Sequence, residues 1–204
     1  GKSITTSASN VYIGKGAGYG TTTSYGSNVA IGKDAFYTNT TGYSQTAVGS
    51  GALYLNTTGN QSTALGYQSL YSNTTASNNT GIGYYALRLN TTGTENAALG
   101  NWALTANTTA SYNTALGSNT LPANTTGANN TALGRAALFA NTTASNNTAV
   151  GSSALLANTT GTRNTAVGMN VMIATTTGVD NTAIGGIDAA ANATLGTNTT
   201  GTNN

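Results

Sequence analysis

Few side chains in this sequence are equipped for chemistry, and their spacing decides what kind. The acids are Asp34, Glu95, Asp180 and Asp188, and the chain has neither Cys nor His. General acid–base work needs carboxylates held at a defined separation. These four fall at unrelated phases of the repeat described below, so no catalytic residue is assigned and the chain is read as a non-enzyme. Without Cys or His, the usual Zn, Cu and Fe sites lack their ligands. A calcium-binding repeat array would carry an Asp in each copy, so neither metal nor cofactor is expected. The stretch Gly14-Lys15-Gly16-Ala17-Gly18-Tyr19-Gly20 resembles a phosphate loop in composition. It lacks the Gly-Lys-Ser/Thr ending and a following helix, and is read as an irregular first turn.

The recurring candidates are amides. Asn39, Asn56, Asn73, Asn90, Asn107, Asn124, Asn141 and Asn158 each open an Asn-Thr-Thr triplet, and Asn198 opens another. Each is an acceptor pattern for N-linked glycan in a chain that passes through a glycosylating pathway; Asn78, Asn129 and Asn146 head Asn-Asn-Thr acceptors as well. The other reading is that Asn and Thr are good turn residues whose side chains bond nearby backbone. Constant placement of the triplet predicts one outward stripe, the functional surface of the molecule. Tyr37, Tyr54 and Tyr71, with Tyr67 and Tyr84, either offer faces to sugars or cover a half-exposed sheet. Trp102, the only tryptophan, is placed against Tyr85 one repeat earlier.

These residues ride on a strict period. A large apolar residue followed by Gly falls at Ile31, Val48, Leu65, Ile82, Leu99, Leu116, Leu133, Val150, Val167 and Ile184, nine steps of 17, with an earlier copy at Ile13 set off by 18. Aligned on this anchor, the rung reads Asn-Thr-Ala-(Leu/Val/Ile)-Gly-x-x-Ala-Leu-x-x-Asn-Thr-Thr-Gly-x-x. Short apolar runs punctuated by Gly and Asn-Thr-Thr-Gly predict two short strands per rung with a turn at each end, whereas Thr, Asn and Gly disfavour helix. The fold class is all-β: a parallel β-solenoid or β-roll with 17-residue rungs stacked about 4.8 Å apart. The predicted core pairs Leu104, Leu121, Leu138 and Leu155 with the anchors Leu99, Leu116, Leu133 and Val150. Residues 1–204 form one repeat segment of about eleven rungs, irregular over 13–30 and 185–204. Both ends fall inside the pattern, as if cut from a longer array.

Composition narrows the partners. Only 5% of residues are charged and the net charge is +2, against about 25% charged in an average protein. Scattered basic residues give no footprint for nucleic acid or an anionic membrane. No apolar run approaches the roughly 20 residues that cross a bilayer.

The stretch Asn147-Thr148-Ala149-Val150-Gly151-Ser152-Ser153-Ala154-Leu155 resembles the head repeat of trimeric autotransporter adhesins. With Asn-Thr-Thr-Gly included, the rung is similar to repeat arrays in tail-fibre-like proteins of phages and bacteria, which often end in a self-cleaving endosialidase-type chaperone domain. The likeness spans about residues 10 to 194. It implies a left-handed parallel β-roll with three chains about one axis on a bacterial or virion surface. The adhesin repeat is commonly about 14 residues, so each rung here is longer in the Asn-Thr-Thr turn. No anchor, coiled-coil stalk or chaperone domain accompanies the rungs in this sequence. The expected function is a structural, adhesive extracellular fibre or tail-fibre shaft. Its expected partners are further copies of itself, as a homotrimer or end-to-end filament, and surface glycans or a host receptor. An ice-binding solenoid is the alternative, disfavoured because the Thr pair sits in a turn instead of on a flat strand.

Overall fold

A computed structural model describes residues 9–22, 26–186 and 200–202. Eleven three-residue strands run in chain order from β1 (Val11–Ile13) and β2 (Val29–Ile31) to β11 (Thr182–Ile184). They form one parallel sheet in which each strand pairs with its sequence neighbour. Register follows the repeat without slippage: Thr114 pairs with Thr131, Ala115 with Ala132 and Leu116 with Leu133. The 18-residue first step is absorbed before β2, where Val11 pairs with Val29. The all-β solenoid is therefore present. Past the last strand, Thr202 bridges to Val179 in parallel, so the chain returns onto the stack.

Each rung carries one strand, not two. The Ala-Leu pair that suggested a second strand lies in consecutive turns, and both of its side chains point inward. Ala103 and Leu104, for example, are both fully buried. Alternation along a strand forbids two adjacent inward residues; the chain achieves it by placing the leucine in the left-handed region. Leu53, Leu70, Leu87, Leu104, Leu121, Leu138 and Leu155 all have φ between 50° and 52°. Such a backbone costs an L-residue roughly 1–2 kcal/mol, which full burial of a leucine side chain, about 1.5–3 kcal/mol, offsets.

The anchors do the opposite. On the strand, Asn and Ala face inward while Thr and the anchor between and beyond them face out. Ala98 is buried and Leu99 is 42% exposed, and Leu116 behind Ala115 is 41% exposed. The expected pairing of the two apolar ladders inside the core is thus corrected: the leucine ladder is internal and the anchor ladder is external. The core of a rung is two Ala, one Leu and two Asn.

The glycine after each anchor meets two demands together. Gly66 has φ +133°, and a Cβ there would come within 2.5 Å of the Gly83 carbonyl oxygen one rung on. Gly81, the exception among the inward alanines, faces Ser69, which stands where most rungs have Ala; a Cβ at Gly81 would lie 2.7 Å from the Ser69 hydroxyl, which instead donates to the Gly81 carbonyl at 2.7 Å.

Candidate functional site

The asparagines of the Asn-Thr-Thr triplets are not on the surface. Asn39, Asn56, Asn73, Asn90, Asn107, Asn124, Asn141 and Asn158 are fully buried. Their Asn-Thr-Thr-Gly turn folds the amide back inside, where the side-chain oxygen of Asn39 accepts from the Gly42 N–H at 2.9 Å. Successive amides then stack: Asn73 Nδ2 donates to Asn56 Oδ1 at 2.9 Å, Asn90 to Asn73 at 3.1 Å, Asn107 to Asn90 at 2.8 Å and Asn124 to Asn107 at 3.2 Å. The second hydrogen of each Nδ2 goes to a carbonyl of its own turn, as from Asn107 to Ala110 at 2.9 Å.

A second ladder runs opposite. Asn79, Asn96, Asn113, Asn130, Asn147, Asn164 and Asn181, just ahead of the strands, are buried too. Here the side-chain oxygen accepts the backbone N–H one rung on, as Asn130 does from Asn147 at 3.0 Å. From Asn79, Asn96, Asn130 and Asn147, Nδ2 reaches across the rung to the turn carbonyl that the first ladder uses. Ala110 O accepts from both Asn96 at 2.8 Å and Asn107 at 2.9 Å, and Gly161 O from both Asn147 at 2.8 Å and Asn158 at 3.0 Å. This shared carbonyl closes the rung across its polar interior. Buried amides are tolerable only when so satisfied.

The outward-stripe expectation is therefore corrected for all eight described triplets. An N-linked glycan would replace an Nδ2 hydrogen that the folded rung already uses, inside a ladder with no space for sugar; Asn198 lies outside the described residues. The exposed acceptors are Asn78, Asn129 and Asn146. The triplet's middle Thr braces adjacent rungs through its hydroxyl, as Thr91 Oγ1 does to Thr108 O at 2.9 Å. Only its last Thr is exposed, in every rung from Thr41 to Thr177. At the far end Thr175 takes the Asn slot, and Asn158 Oδ1 is left without a hydrogen-bond partner.

Two surfaces remain. The first is the flat strand face. Its anchors, from Ile13 to Ile184, are half-buried or exposed along the whole sheet, flanked by a file of outward threonines that includes Thr63, Thr114 and Thr131.

The second surface is aromatic. Tyr19, Tyr37, Tyr54 and Tyr71 stack ring on ring at 4.9, 5.1 and 5.0 Å, within 6° of parallel. Burial within the stack, then the adjoining Tyr71 and Tyr37, pushes the Tyr54 hydroxyl above its usual pKa. Ring faces in this file are occupied by one another. Around the corner, Tyr67 and Tyr84 stack at 5.5 Å, and Trp102 meets Tyr85 edge-on at 4.9 Å, as the sequence placed it.

The acids do not converge. Asp34 lies 3.8 Å from Lys33 and Asp180 is held by Arg163, while Asp188 is outside the described residues. Hydrogen bonding to Arg163 keeps the Asp180 carboxyl below the ordinary carboxylate range. Among the described residues no cluster of three or more His, Cys, Asp or Glu side chains occurs. Comparison with protein-family models, curated proteins and solved structures finds no match for the chain.

Proposed function

We propose that this chain is a structural, non-enzymatic segment of an extracellular fibre, a surface appendage or tail-fibre shaft, whose copies associate laterally through the strand face as a homotrimer. The observation that carries the reading is the external anchor ladder. Large aliphatic side chains stand half-exposed on one flat face in each of eleven strands, a contiguous apolar surface of the kind that marks an interface. Removing the remaining exposed part of one anchor from water is worth on the order of 1 kcal/mol. One rung cannot offset the entropy lost on association, of order 4–15 kcal/mol, but a full ladder acting together can. The likeness to trimeric adhesin heads implies three chains about one axis, and β1 and β11, each paired on one side among the described residues, offer sheet edges for end-to-end addition of further rungs.

Sedimentation equilibrium over a wide concentration range tests this. The expected mass is three chains, falling to one in the double variant Leu99→Lys and Leu116→Lys, whose solenoid circular dichroism is retained because both side chains already face solvent. A wild-type chain that stays monomeric at millimolar concentration refutes the reading.

The outward threonine file supports a second reading, an ice-binding face. The triplet threonines do lie in turns, but Thr63, Thr114, Thr131 and their equivalents stand on the flat sheet beside the anchors. Thermal hysteresis in a monomeric preparation would favour it over the fibre.

A further inference from the structure

The repeat is broken at one corner of the solenoid. In the two positions that follow the glycine after each anchor, most rungs carry small or polar residues: Ser50 and Gly51, Ser118 and Asn119, Ser152 and Ser153. In three consecutive rungs these become Tyr67 and Gln68, Tyr84 and Tyr85, then Asn101 and Trp102. The fold does not require the change, since the same slots accept Ser and Gly elsewhere. It also carries a backbone cost. Tyr85 and Trp102 sit at φ 59° and 58°, a conformation that glycine or asparagine adopts more cheaply than a bulky ring. Nor does the substitution bury the rings: Tyr67, Tyr84 and Trp102 are 44%, 43% and 41% exposed. The left-handed slot recurs in every described rung, but bulky exposed rings fill it or flank it only here, and such a concentration of exposed aromatic area points to a ligand.

A cation completes the patch. Arg88 occupies the slot that continues the tyrosine stack, with its guanidinium 5.8 Å from the Tyr71 ring centre and 4.7 Å from that of Tyr85. Its Nε donates to Gln68 Oε1 at 2.9 Å, which fixes the fork. The two ion pairs among the described residues belong to Lys33 and Arg163, so no carboxylate of the described chain neutralises Arg88. Its terminal nitrogens remain as donors beside Tyr85, against which the partly exposed rings of Tyr84 and Trp102 are packed.

We propose that this corner, formed by Tyr67, Tyr84, Tyr85, Arg88 and Trp102, binds an acidic saccharide, its sugar rings on the exposed aromatic surface of Tyr67, Tyr84 and Trp102 and its carboxylate on the Arg88 guanidinium. A pyranose has one face of C–H groups that packs on an aromatic ring, while its hydroxyls suit the polar rims of Tyr and Trp. A planar, oriented guanidinium matches a carboxylate in two-point geometry. The three rungs span about 10 Å at the strand spacing, enough for two or three sugar units along the axis. The site deepens the adhesive part of the fibre reading but lies wholly within one chain, so each can fail alone.

Trp102 is the only tryptophan, so its fluorescence reports on this patch and no other. The probes are trigalacturonate, an α2,8-linked sialic acid trimer, the methyl ester of trigalacturonate and triglutamate, each titrated into the full chain at low salt. We expect a saturable emission change with at least one acidic sugar, tenfold weaker binding in Arg88→Gln, and at least tenfold weaker binding of the uncharged ester if trigalacturonate is the ligand. Calorimetry on Trp102→Ala should show binding lost with thermal melting unchanged. The two acidic probes separate a uronate polymer from a sialylated glycan. The proposal is overturned by no saturable response to either acidic sugar, by equal binding in Arg88→Gln, or by triglutamate binding as well as the sugars. A change of oligomeric mass in Arg88→Gln or Trp102→Ala would also overturn it, assigning the patch to contact between copies. A monomeric chain that binds the sugar would refute only the trimer.

Discussion

Asn107→Ala tests whether the buried amides hold the rungs together. Asn107 is fully buried; its Nδ2 donates to Asn90 Oδ1 at 2.8 Å and Ala110 O at 2.9 Å, and its Oδ1 accepts from Asn124 at 3.2 Å. Truncation removes all three bonds. Ala110 O keeps its bond from Asn96, and Asn124 Nδ2 keeps Gly127 O. Asn90 Oδ1 is left with nothing in the dry interior, and one Asn124 hydrogen likewise. An orphaned buried polar group costs about 1–3 kcal/mol, so two of them plus a small void give an expected loss of roughly 3–5 kcal/mol. In a solenoid each rung touches only its neighbours, so the loss is local. Native-state hydrogen exchange should show protection falling at the turns around Asn90, Asn107 and Asn124, with distant rungs unchanged. Thr109→Ala, two residues along the same turn and exposed, is the control and should stay within about 0.5 kcal/mol. A loss below about 1 kcal/mol in Asn107→Ala would refute the ladder as a source of stability.

Leu104→Ala should destabilise the chain by about 2–5 kcal/mol in chemical denaturation, whereas Leu99→Ala, on the outer face, should leave the isolated chain nearly unchanged and weaken only its assembly. Gly66→Ala adds left-handed strain to a clash with backbone that cannot move aside, and should abolish protection in the rungs on either side. Asp180 titrates below its ordinary value when folded, so its contribution is present above the ordinary carboxylate pKa and disappears as pH falls through the lowered one. That pair is exposed and the chain has no His, so melting temperature should be nearly flat across neutral pH, with only a small decline in acid that Asp180→Asn removes.

Period, class and register were readable because every rung repeats the same choice. Direction was not. Leu99 and Leu104 look alike as sequence, yet one faces out and one in. The clue lay in alternation counted from Asn96: Asn96 and Ala98 inward leave Ala97 and Leu99 outward. For Leu104 no pattern of residue types announces a left-handed backbone, because leucine is a poor candidate for it; only the adjacency of two inward residues requires it. The amides misled for a different reason. A polar residue constant in every copy suggests recognition by something outside, but in a stack each side chain's nearest partner is its own equivalent one rung away. Constancy of Asn from Asn39 to Asn158 is what a self-complementary ladder demands. The aromatic corner was visible only as scattered Tyr positions, since Arg88 joins it from a different slot of the rung.

The carboxamides of the first ladder all point the same way. Each gives its hydrogen to the oxygen of the residue one rung earlier in the chain, from Asn56 to Asn158. Their dipoles therefore add head to tail, and each bond polarises the next. The rod is thus vectorial. At one end of the ladder Asn39 is the last donor, and at the other, where Thr175 takes the slot, the one orphaned oxygen is Asn158 Oδ1. A ladder continued by another of the same kind must keep its sense, for a reversed one would set oxygen against oxygen in the dry interior. Direction is thereby written into a solenoid whose rungs otherwise repeat.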